Sequence, residues 1–314
     1  MAPSRDRILI TGARGFIGAA LAIDRVEAGH EVHLLLRPGG DAWRLRQIEG
    51  RYYRHDADLR DSAAVRRAVA ASRPDVIFHA AAHGTSPGPH DRGEILASNV
   101  LGTSNLLDAL AGHDYRALVN VGSSSEYGHK DGPMAETDQL DPRTDYAVGK
   151  AAGSLLCQAE AWKGRPVCTV RIFSAYGPLE EPSRLASYVM GCCRRGESPR
   201  VTSGGQPRDW IYIDDVIALL CRAAECSGVR GNILHAGSGL TQTVRDMVEE
   251  ILAVATGGRL RADYGAAPRR PDEPAVWIAD TTATRAMTGW MPRFDLQAGV
   301  ARMWNAYATA RSAA

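Results

Sequence analysis

The sequence predicts an α/β protein in which a doubly wound parallel sheet is followed by a smaller C-terminal α/β domain that binds substrate. Short apolar runs that suit buried strands alternate with stretches that suit helices, which is typical of βαβ units. A glycine-rich turn lies directly between the first apolar run and the first helix. Beyond about residue 180 the elements become shorter and prolines more frequent. We therefore expect domains at residues 1–178 and 179–314, the second interleaved with the first.

Composition narrows the class of protein. The chain has 314 residues, enough for one large or two smaller cores, with 45% apolar and 23% charged residues. A net charge of +1 favours neither nucleic acid nor an anionic membrane as partner. No stretch suits a signal peptide or a transmembrane helix. None of the six cysteines has metal-site spacing, so we expect no metal and a reducing, cytoplasmic location.

The first βαβ unit predicts a dinucleotide site of the Rossmann type. Residues 8–10 form an apolar strand, and residues 19–28 suit a helix that ends at Gly29. Glycines between them allow the backbone to approach a pyrophosphate, which the free N–H groups of the helix start also attract. The residues expected to bind the cofactor here are Gly12, Arg14, Gly15, Phe16, Ile17 and Gly18.

The end of the second strand, residues 32–36, indicates which dinucleotide is preferred. A NAD-binding protein usually carries an acidic residue there to hold the ribose 2′-hydroxyl, but this chain has Leu36 followed by Arg37. Arg37, together with Arg14, can pair with a 2′-phosphate. NADP(H) is therefore favoured, with NAD(H) as the open alternative; two solvated arginines are the plainer interpretation.

Strands at residues 52–55 and 76–78 complete this half of the sheet. Asp58 and Leu59 follow the first of them and are expected beside the adenine. The alternative role for Asp58 is to cap the helix at 62–70, but Asp61 or Ser62 is better placed for that. After the second strand, the small residues Ala80, Ala81 and Ala82 leave room for a cofactor. His79 and His83 are expected to pack or be solvated. The Gly/Pro-rich residues 84–90 form a loop, either bordering substrate or only connecting, before a helix at 94–111 that carries Asn99.

A proton-transfer device is predicted after the fifth strand, residues 117–121. Tyr146 and Lys150 are four residues apart in a helical stretch, so they lie one turn from each other. A phenol exchanges protons poorly at neutral pH, and a nearby ammonium group lowers its pKa. The serine run 123–125 could supply a hydroxyl beside Tyr146, although such runs are often turn chemistry. A half-buried tyrosine and a solvated lysine are the alternative interpretation.

These motifs together resemble the extended short-chain dehydrogenase/reductases, and within them the NAD(P)-dependent nucleotide-sugar epimerase/dehydratase/reductase group. The resemblance rests on the glycine turn, Asp58-Leu59, Asn99, the serine run before Tyr127-Gly128 and Tyr146-x-x-x-Lys150. It continues through residues 171–178, 208–216 and 269–272, and so spans nearly the whole chain.

The resemblance implies a role for each matching residue. Tyr146 would be the catalytic acid/base, and Lys150 would lower its pKa and hold the nicotinamide ribose. Ser123 occupies the place of the catalytic hydroxyl, with Ser124 as the alternative, and Asn99 belongs to the cofactor set. Arg208 and Arg270 would grip the nucleotide diphosphate, while Ser125 and Ser174 would face the substrate. The family also implies a homodimer formed through two helices of each subunit.

Departures from the family pattern indicate the reaction. Dehydratases carry an Asp-Glu pair after the catalytic hydroxyl, where this chain has Ser124 and Ser125, so elimination of water lacks its acid and base. The favoured function is NADPH-dependent reduction of a nucleotide-linked 4-keto-6-deoxyhexose. A NAD-dependent 4-epimerase is the alternative, and a non-catalytic dinucleotide sensor is the third. Asp214 and Asp215 are expected to cap a helix at 216–224 rather than bind a metal.

Overall fold

A seven-stranded parallel sheet is the centre of the computed structural model, which describes residues 5–85, 90–268 and 276–309. Its strands are β1 (Arg7–Thr11), β2 (Glu31–Leu36), β3 (Tyr53–Asp56), β4 (Val76–His79), β5 (Ala117–Ser123), β6 (Val167–Ile172) and, late in the chain, β11 (Ile233–Ala236). The spatial order is β11-β6-β5-β4-β1-β2-β3, and all pairs are parallel. The predicted doubly wound α/β fold is confirmed.

Three short strand pairs lie outside this sheet. They join β7 (Ser174–Tyr176) to β10 (Trp210–Tyr212), β8 (Arg200–Val201) to β13 (Asp263–Tyr264), and β9 (Pro207–Arg208) to β12 (Gln242–Thr243). All of them except β7 come after residue 178, where shorter elements were expected. β11 also comes after residue 178 but extends the main sheet, so the two parts of the chain interleave.

Helices cover both faces of the sheet. They are α1 (Phe16–Glu27), α2 (Ser62–Ser72), α3 (Arg92–Leu96), α4 (Gly102–Leu110), α5 (Asp145–Trp162), α6 (Leu185–Arg195), α7 (Ile213–Glu225), α8 (Val244–Thr256), α9 (Thr282–Thr288) and α10 (Leu296–Thr309). Short 3₁₀ turns occur at Trp43–Ile48, Ser124–Tyr127 and Ser227–Val229. In β1, Ile8 and Ile10 pack into one apolar cluster and Leu9 into another, because alternate side chains of a strand point to opposite faces.

The order of the strands locates the crevice. β1 pairs with β2 on one side and with β4 on the other, so the chain winds outward in both directions from this point. Ligands of such sheets bind outside the carboxyl ends of the strands at the point of reversal. The glycine turn after β1, the loop after β4 and the serine run after β5 all lie at this edge.

Three predicted helices differ in detail from those observed. α1 begins at Phe16, three residues earlier than expected, because the helix starts directly after Gly15. The helix predicted at 94–111 is divided by a π turn, Ala97–Leu101, between α3 and α4. The prediction that Asp214 and Asp215 cap a helix is wrong. α7 begins at Ile213, and Asp215 instead accepts the backbone N–H groups of Arg293 and Phe294, both at 3.0 Å.

The described ranges contain neither a membrane-spanning helix nor a cluster of metal ligands. No helix in the part of the chain that the structure describes is long and apolar enough to cross a lipid bilayer. Within the same ranges, no three His, Cys, Asp or Glu side chains are grouped so that they could hold a metal ion. His79 is a packing residue: it is buried between Thr11 and Thr103, at 2.7 and 2.9 Å, and burial lowers its pKa to about 3.

Candidate active site

The glycine turn forms a cradle whose shape excludes side chains. Gly12 has a φ of +74°, and a Cβ there would lie 2.5 Å from the backbone of Ala80. A Cβ at Gly18 would lie 2.4 Å from the carbonyl oxygen of Gly12. Gly15 immediately precedes α1 with no side-chain cap, so the N–H groups of the helix start face the turn. Phe16 and Ile17 are half-buried in the first turn. The cradle therefore fits a pyrophosphate.

Guanidinium groups gather beside this cradle at the carboxyl end of β2. Arg14 donates to the backbone carbonyl of Arg37. Burial lowers the pKa of Arg14, and the positive charges of Arg54 and Arg37 lower it further. Arg54 is paired with Asp56 at 2.7 Å, and the Nε of Arg14 is buried without a hydrogen-bond partner. Like charges held together in this way favour an anion between them.

The next two predicted cofactor residues lie after β3. Asp58 is half-buried and paired with Arg60 at 2.7 Å, and this hydrogen bond holds the pKa of its carboxyl below the usual range. Leu59 is buried against α4, where a Cβ on Gly102 would come within 2.9 Å of it. Asp58 thus stays ionised as a hydrogen-bond acceptor, and Leu59 fixes the backbone beside it.

Asn99 acts on the loop after β4, not directly on the crevice. Its side chain accepts from the backbone N–H of His83 at 2.7 Å and donates to the His83 carbonyl at 3.0 Å. It lies in the π turn, a distortion that often marks functional sites. The loop it holds includes Ala81 and Ala82, whose small side chains leave the cradle open. Asn99 therefore positions this loop, and its cofactor contact stays a prediction.

The structure brings Ser123 and Tyr146 together. Ser123 ends β5, and its Oγ lies 2.8 Å from the Oγ of Ser125. Tyr146 is in the first turn of α5, where burial raises its pKa and a hydrogen bond with Ser123 offsets part of that rise. Thr144 caps this helix by accepting the backbone N–H of Ala147 at 3.1 Å, and so fixes where the helix begins.

Lys150 does not tune the phenol as expected. Its ammonium group is buried and donates to the Val121 carbonyl at 2.5 Å, and burial lowers its own pKa. Burial raises the pKa of Tyr146; Ser123 and, more weakly, Arg184 lower it. The expectation that Lys150 lowers this pKa is therefore wrong for this structure, because the ammonium is directed toward the strand.

The predicted substrate residues follow β5 or lie on β7 and β9, apart from Arg270, which is outside the described residues. Ser124 is buried and accepts a hydrogen bond from the indole of Trp277, so Ser123 is the better candidate for the catalytic hydroxyl. The guanidinium of Arg208 lies 5.4 Å from the Trp277 ring centroid. Ser174 begins β7 and is paired with Trp210 of β10, two residues after Arg208.

Three residues of the site were missed by sequence reasoning. Arg54 lies on β3, and the pairing of β3 with β2 brings its charge within reach of Arg14. Arg184 precedes α6 and donates to the Thr85 carbonyl at 3.0 Å, beside a glycine that contacts Tyr146. Glu126 is fully buried behind Ser123. An acidic residue directly after a run of small residues was the available signal for Glu126.

A protein-family model for the "NAD dependent epimerase/dehydratase family" matches residues 8–237. The chain belongs to this family. It is thus an extended short-chain dehydrogenase/reductase and a nucleotide-sugar enzyme of the epimerase/dehydratase type, as the resemblance implied. The match covers the dinucleotide cradle, Ser123, Tyr146, Lys150 and Arg208.

Curated relatives cover almost the whole chain. A dTDP-glucose 4,6-dehydratase of Xanthomonas campestris pv. campestris is 27% identical, over 96% of this chain and 93% of its own. A UDP-glucose 4-epimerase of Mycolicibacterium smegmatis is 30% identical, over 94% and 96%. Family membership is therefore clear, while the relatives' reactions differ from one another.

Solved structures share the fold. MoeE5, in complex with UDP-glucose and NAD, superposes with a TM-score of 0.84 at 29% identity, covering 98% of this chain and 99% of its own. A UDP-glucose 4-epimerase of Thermotoga maritima superposes with a TM-score of 0.88 at 22% identity, covering 97% and 99%. The second similarity supports the fold alone.

Proposed function

We propose that this enzyme uses NADPH to reduce the 4-keto group of a nucleotide-linked 4-keto-6-deoxyhexose. The observation that carries the proposal is the cluster of Arg14, Arg37 and Arg54 at the end of β2, which suits the 2′-phosphate of NADPH. The dinucleotide, when bound, supplies the hydride. The cradle at Gly12 and Gly18 fits its pyrophosphate, because it excludes side chains there.

The chain's own residues supply the proton. Ser123 hydrogen-bonds the keto oxygen and orients it toward Tyr146. Tyr146, kept in its neutral form by burial, donates its proton to that oxygen as negative charge develops. Lys150, anchored on Val121, holds the ribose beside the two hydroxyl groups. Ser124 and Ser125 replace the acid and base that elimination would need, which argues against a dehydratase.

A 4-epimerase is the second candidate. The MoeE5 structure holds NAD and UDP-glucose, and the Mycolicibacterium smegmatis relative is named as an epimerase. The same serine, tyrosine and lysine would serve that reaction. The difference lies in the cofactor: a reductase must exchange it in every cycle, whereas an epimerase regenerates it in place.

We also propose a homodimer formed through α5 and the α3–α4 helices. Val148, Leu155 and Trp162 are exposed at intervals of seven residues on one side of α5. Leu96 and Leu101 are exposed on the adjoining helices, which α5 approaches closely because Gly149 and Gly153 face Asn99. Exposed apolar side chains on two adjoining helices suit burial against a second copy. A cytoplasmic location is proposed with it, since all six cysteines are free thiols.

The first prediction separates the two reactions. Purified protein should carry little bound dinucleotide and should oxidise NADPH in equal amount to an added nucleotide 4-keto-6-deoxyhexose, followed by nicotinamide absorbance and product chromatography. It should not interconvert UDP-glucose and UDP-galactose. Protein that is isolated almost full of NAD and inverts a saturated nucleotide sugar without added cofactor is an epimerase, and the proposal then fails.

The second prediction tests the arginine cluster. Arg37→Ala and Arg54→Ala should each reduce the preference for NADPH over NADH by about ten- to a hundredfold, because each removes a charged partner of the 2′-phosphate. Calorimetric titration of both dinucleotides measures the ratio. Arg46→Ala, an exposed arginine outside the cluster, should leave the ratio unchanged. Equal or tighter binding of NADH by the unmodified protein would refute the assignment.

The third prediction concerns the proton donor. Tyr146→Phe keeps the ring and removes only the hydroxyl, so turnover should fall by about 100-fold or more while NADPH affinity is largely retained. Tyr53→Phe, at an exposed tyrosine, serves as the control. If the Tyr146→Phe enzyme works within a few-fold of the parent, Tyr146 is not the proton donor.

The fourth prediction concerns assembly. Light scattering after size exclusion should give the mass of two chains for the unmodified protein and of one chain for Leu155→Glu, because a carboxylate would be buried unpaired in the interface. Leu240→Glu is the matched control, since Leu240 is exposed to a similar degree, 55% against 59%, but lies away from these helices. A monomer at every concentration of the unmodified protein would contradict the proposal.

A further inference from the structure

A carboxylate without exposed surface lies directly behind Ser123. Glu126 sits in the 3₁₀ turn after β5 with 0% exposure, and its Oε2 accepts from the Nε of Arg171 at 2.8 Å. Its Oε1 accepts from the backbone N–H of Ser123 at 2.8 Å and from the hydroxyl of Ser154 at 3.0 Å. Burial of a carboxylate is costly unless it is paired and fully hydrogen-bonded, and this one is both.

The three partners belong to three different elements. Ser123 ends β5, Arg171 lies in β6, and Ser154 lies in α5 one turn after Lys150. The carboxylate therefore joins the strand that carries the serine to the helix that carries the tyrosine and the lysine. Little space surrounds it, because a Cβ on Gly122 would lie 2.9 Å from Oε1.

We propose that Glu126 is a positioning residue for the proton-transfer groups: its buried carboxylate fixes Ser123 relative to Tyr146 and Lys150 and places a negative charge behind them. The proposal rests on the proposed function only in treating Tyr146 as the proton donor. In this role the buried ion pair of Glu126 and Arg171 serves the proton transfer as well as the stability of the fold.

The charges around the two groups determine the sign of the effect. Tyr146 faces Ser123 of β5, Glu126 of the 3₁₀ turn and Arg184 before α6; the carboxylate raises the pKa of Tyr146, and the other two lower it. Burial lowers the pKa of Lys150, which Glu126 and, more weakly, Cys157 raise.

The remaining neighbours do not reverse this sign. His79 of β4 faces Lys150 and is kept neutral at ordinary pH by its burial. Arg171 faces the carboxylate, with its guanidinium 4.4 Å from the centroid of the Tyr127 ring. Without the charge of Glu126, both Tyr146 and Lys150 would lose their protons at lower pH. Reduction needs both groups protonated. Removing the charge of Glu126 should therefore lower the pH above which reductase activity is lost.

The test reads Tyr146 directly in the cofactor-free protein. Tyrosinate absorbance is titrated in the unmodified protein and in Glu126→Gln, and in each case the curve of the same protein carrying Tyr146→Phe is subtracted. Circular dichroism limits the titration to pH values at which the protein stays folded. We expect the difference signal to appear at lower pH in Glu126→Gln. The ratio of reductase activity at pH 9 to that at pH 7 should also fall by about tenfold.

Controls separate charge from folding. Glu126→Gln with Arg171→Met removes the ion pair without leaving a buried charge unpaired, and should displace the titration in the same direction but by less, because a positive charge is lost as well; it serves if the single variant does not fold. Glu136→Gln removes another carboxylate of the same polar region, near His235, and should leave the Tyr146 titration unchanged. If Tyr146 ionises at the same pH in a folded Glu126 variant as in the unmodified protein, the proposal is overturned, whatever the loss of activity. The titration needs no substrate. The role of Glu126 is therefore tested independently of the reductase assignment.

Discussion

Desolvation of charge at the carboxyl end of β5 is the constraint on which the site depends. Lys150, Glu126 and Arg171 are all buried there, and each would be unfavourable without a partner. Val121 supplies a carbonyl to the lysine, and the glutamate and arginine pair with each other. Because these partners belong to β5, β6 and α5, satisfying the charges also fixes the geometry of Ser123 and Tyr146. Stability and positioning therefore have the same physical origin.

The second half of the site depends on close backbone packing. Gly12 and Gly18 bring β1, α1 and the loop after β4 together so tightly that a single methyl group would clash. Asn99 holds the same loop from the other side through His83. The π turn that carries Asn99 packs against Gly149 and Gly153 of α5. The dinucleotide cradle and the proton-donor helix are thus linked through one loop and one irregular helical turn.

Local pattern predicted the sheet and the placement of Gly12, Ser123 and Tyr146, because apolar runs and glycine turns report backbone conformation directly. It did not predict where the charged side chains would point. Lys150 was expected to face the phenol, but strand and helix packing turns it toward Val121. Asp215 was predicted to cap a helix, but its carboxylate binds backbone N–H groups of a loop about eighty residues later in the chain. Arg54 comes within reach of Arg14 through the pairing of β3 with β2. Such contacts are set by tertiary structure.

The serine, tyrosine and lysine do not by themselves distinguish a reductase from an epimerase, since both reactions move a proton at the same oxygen. Discrimination therefore has to come from the cofactor side of the crevice. The pKa of Arg14 is lowered first by burial and then by the positive charges of Arg54 and Arg37, which Asp56 offsets only in part. An added phosphate relieves the repulsion between these positive charges, whereas a bare ribose hydroxyl does not. The NADPH preference proposed above rests on this cluster, and it would favour a cofactor that is drawn from the reducing pool and exchanged in every cycle.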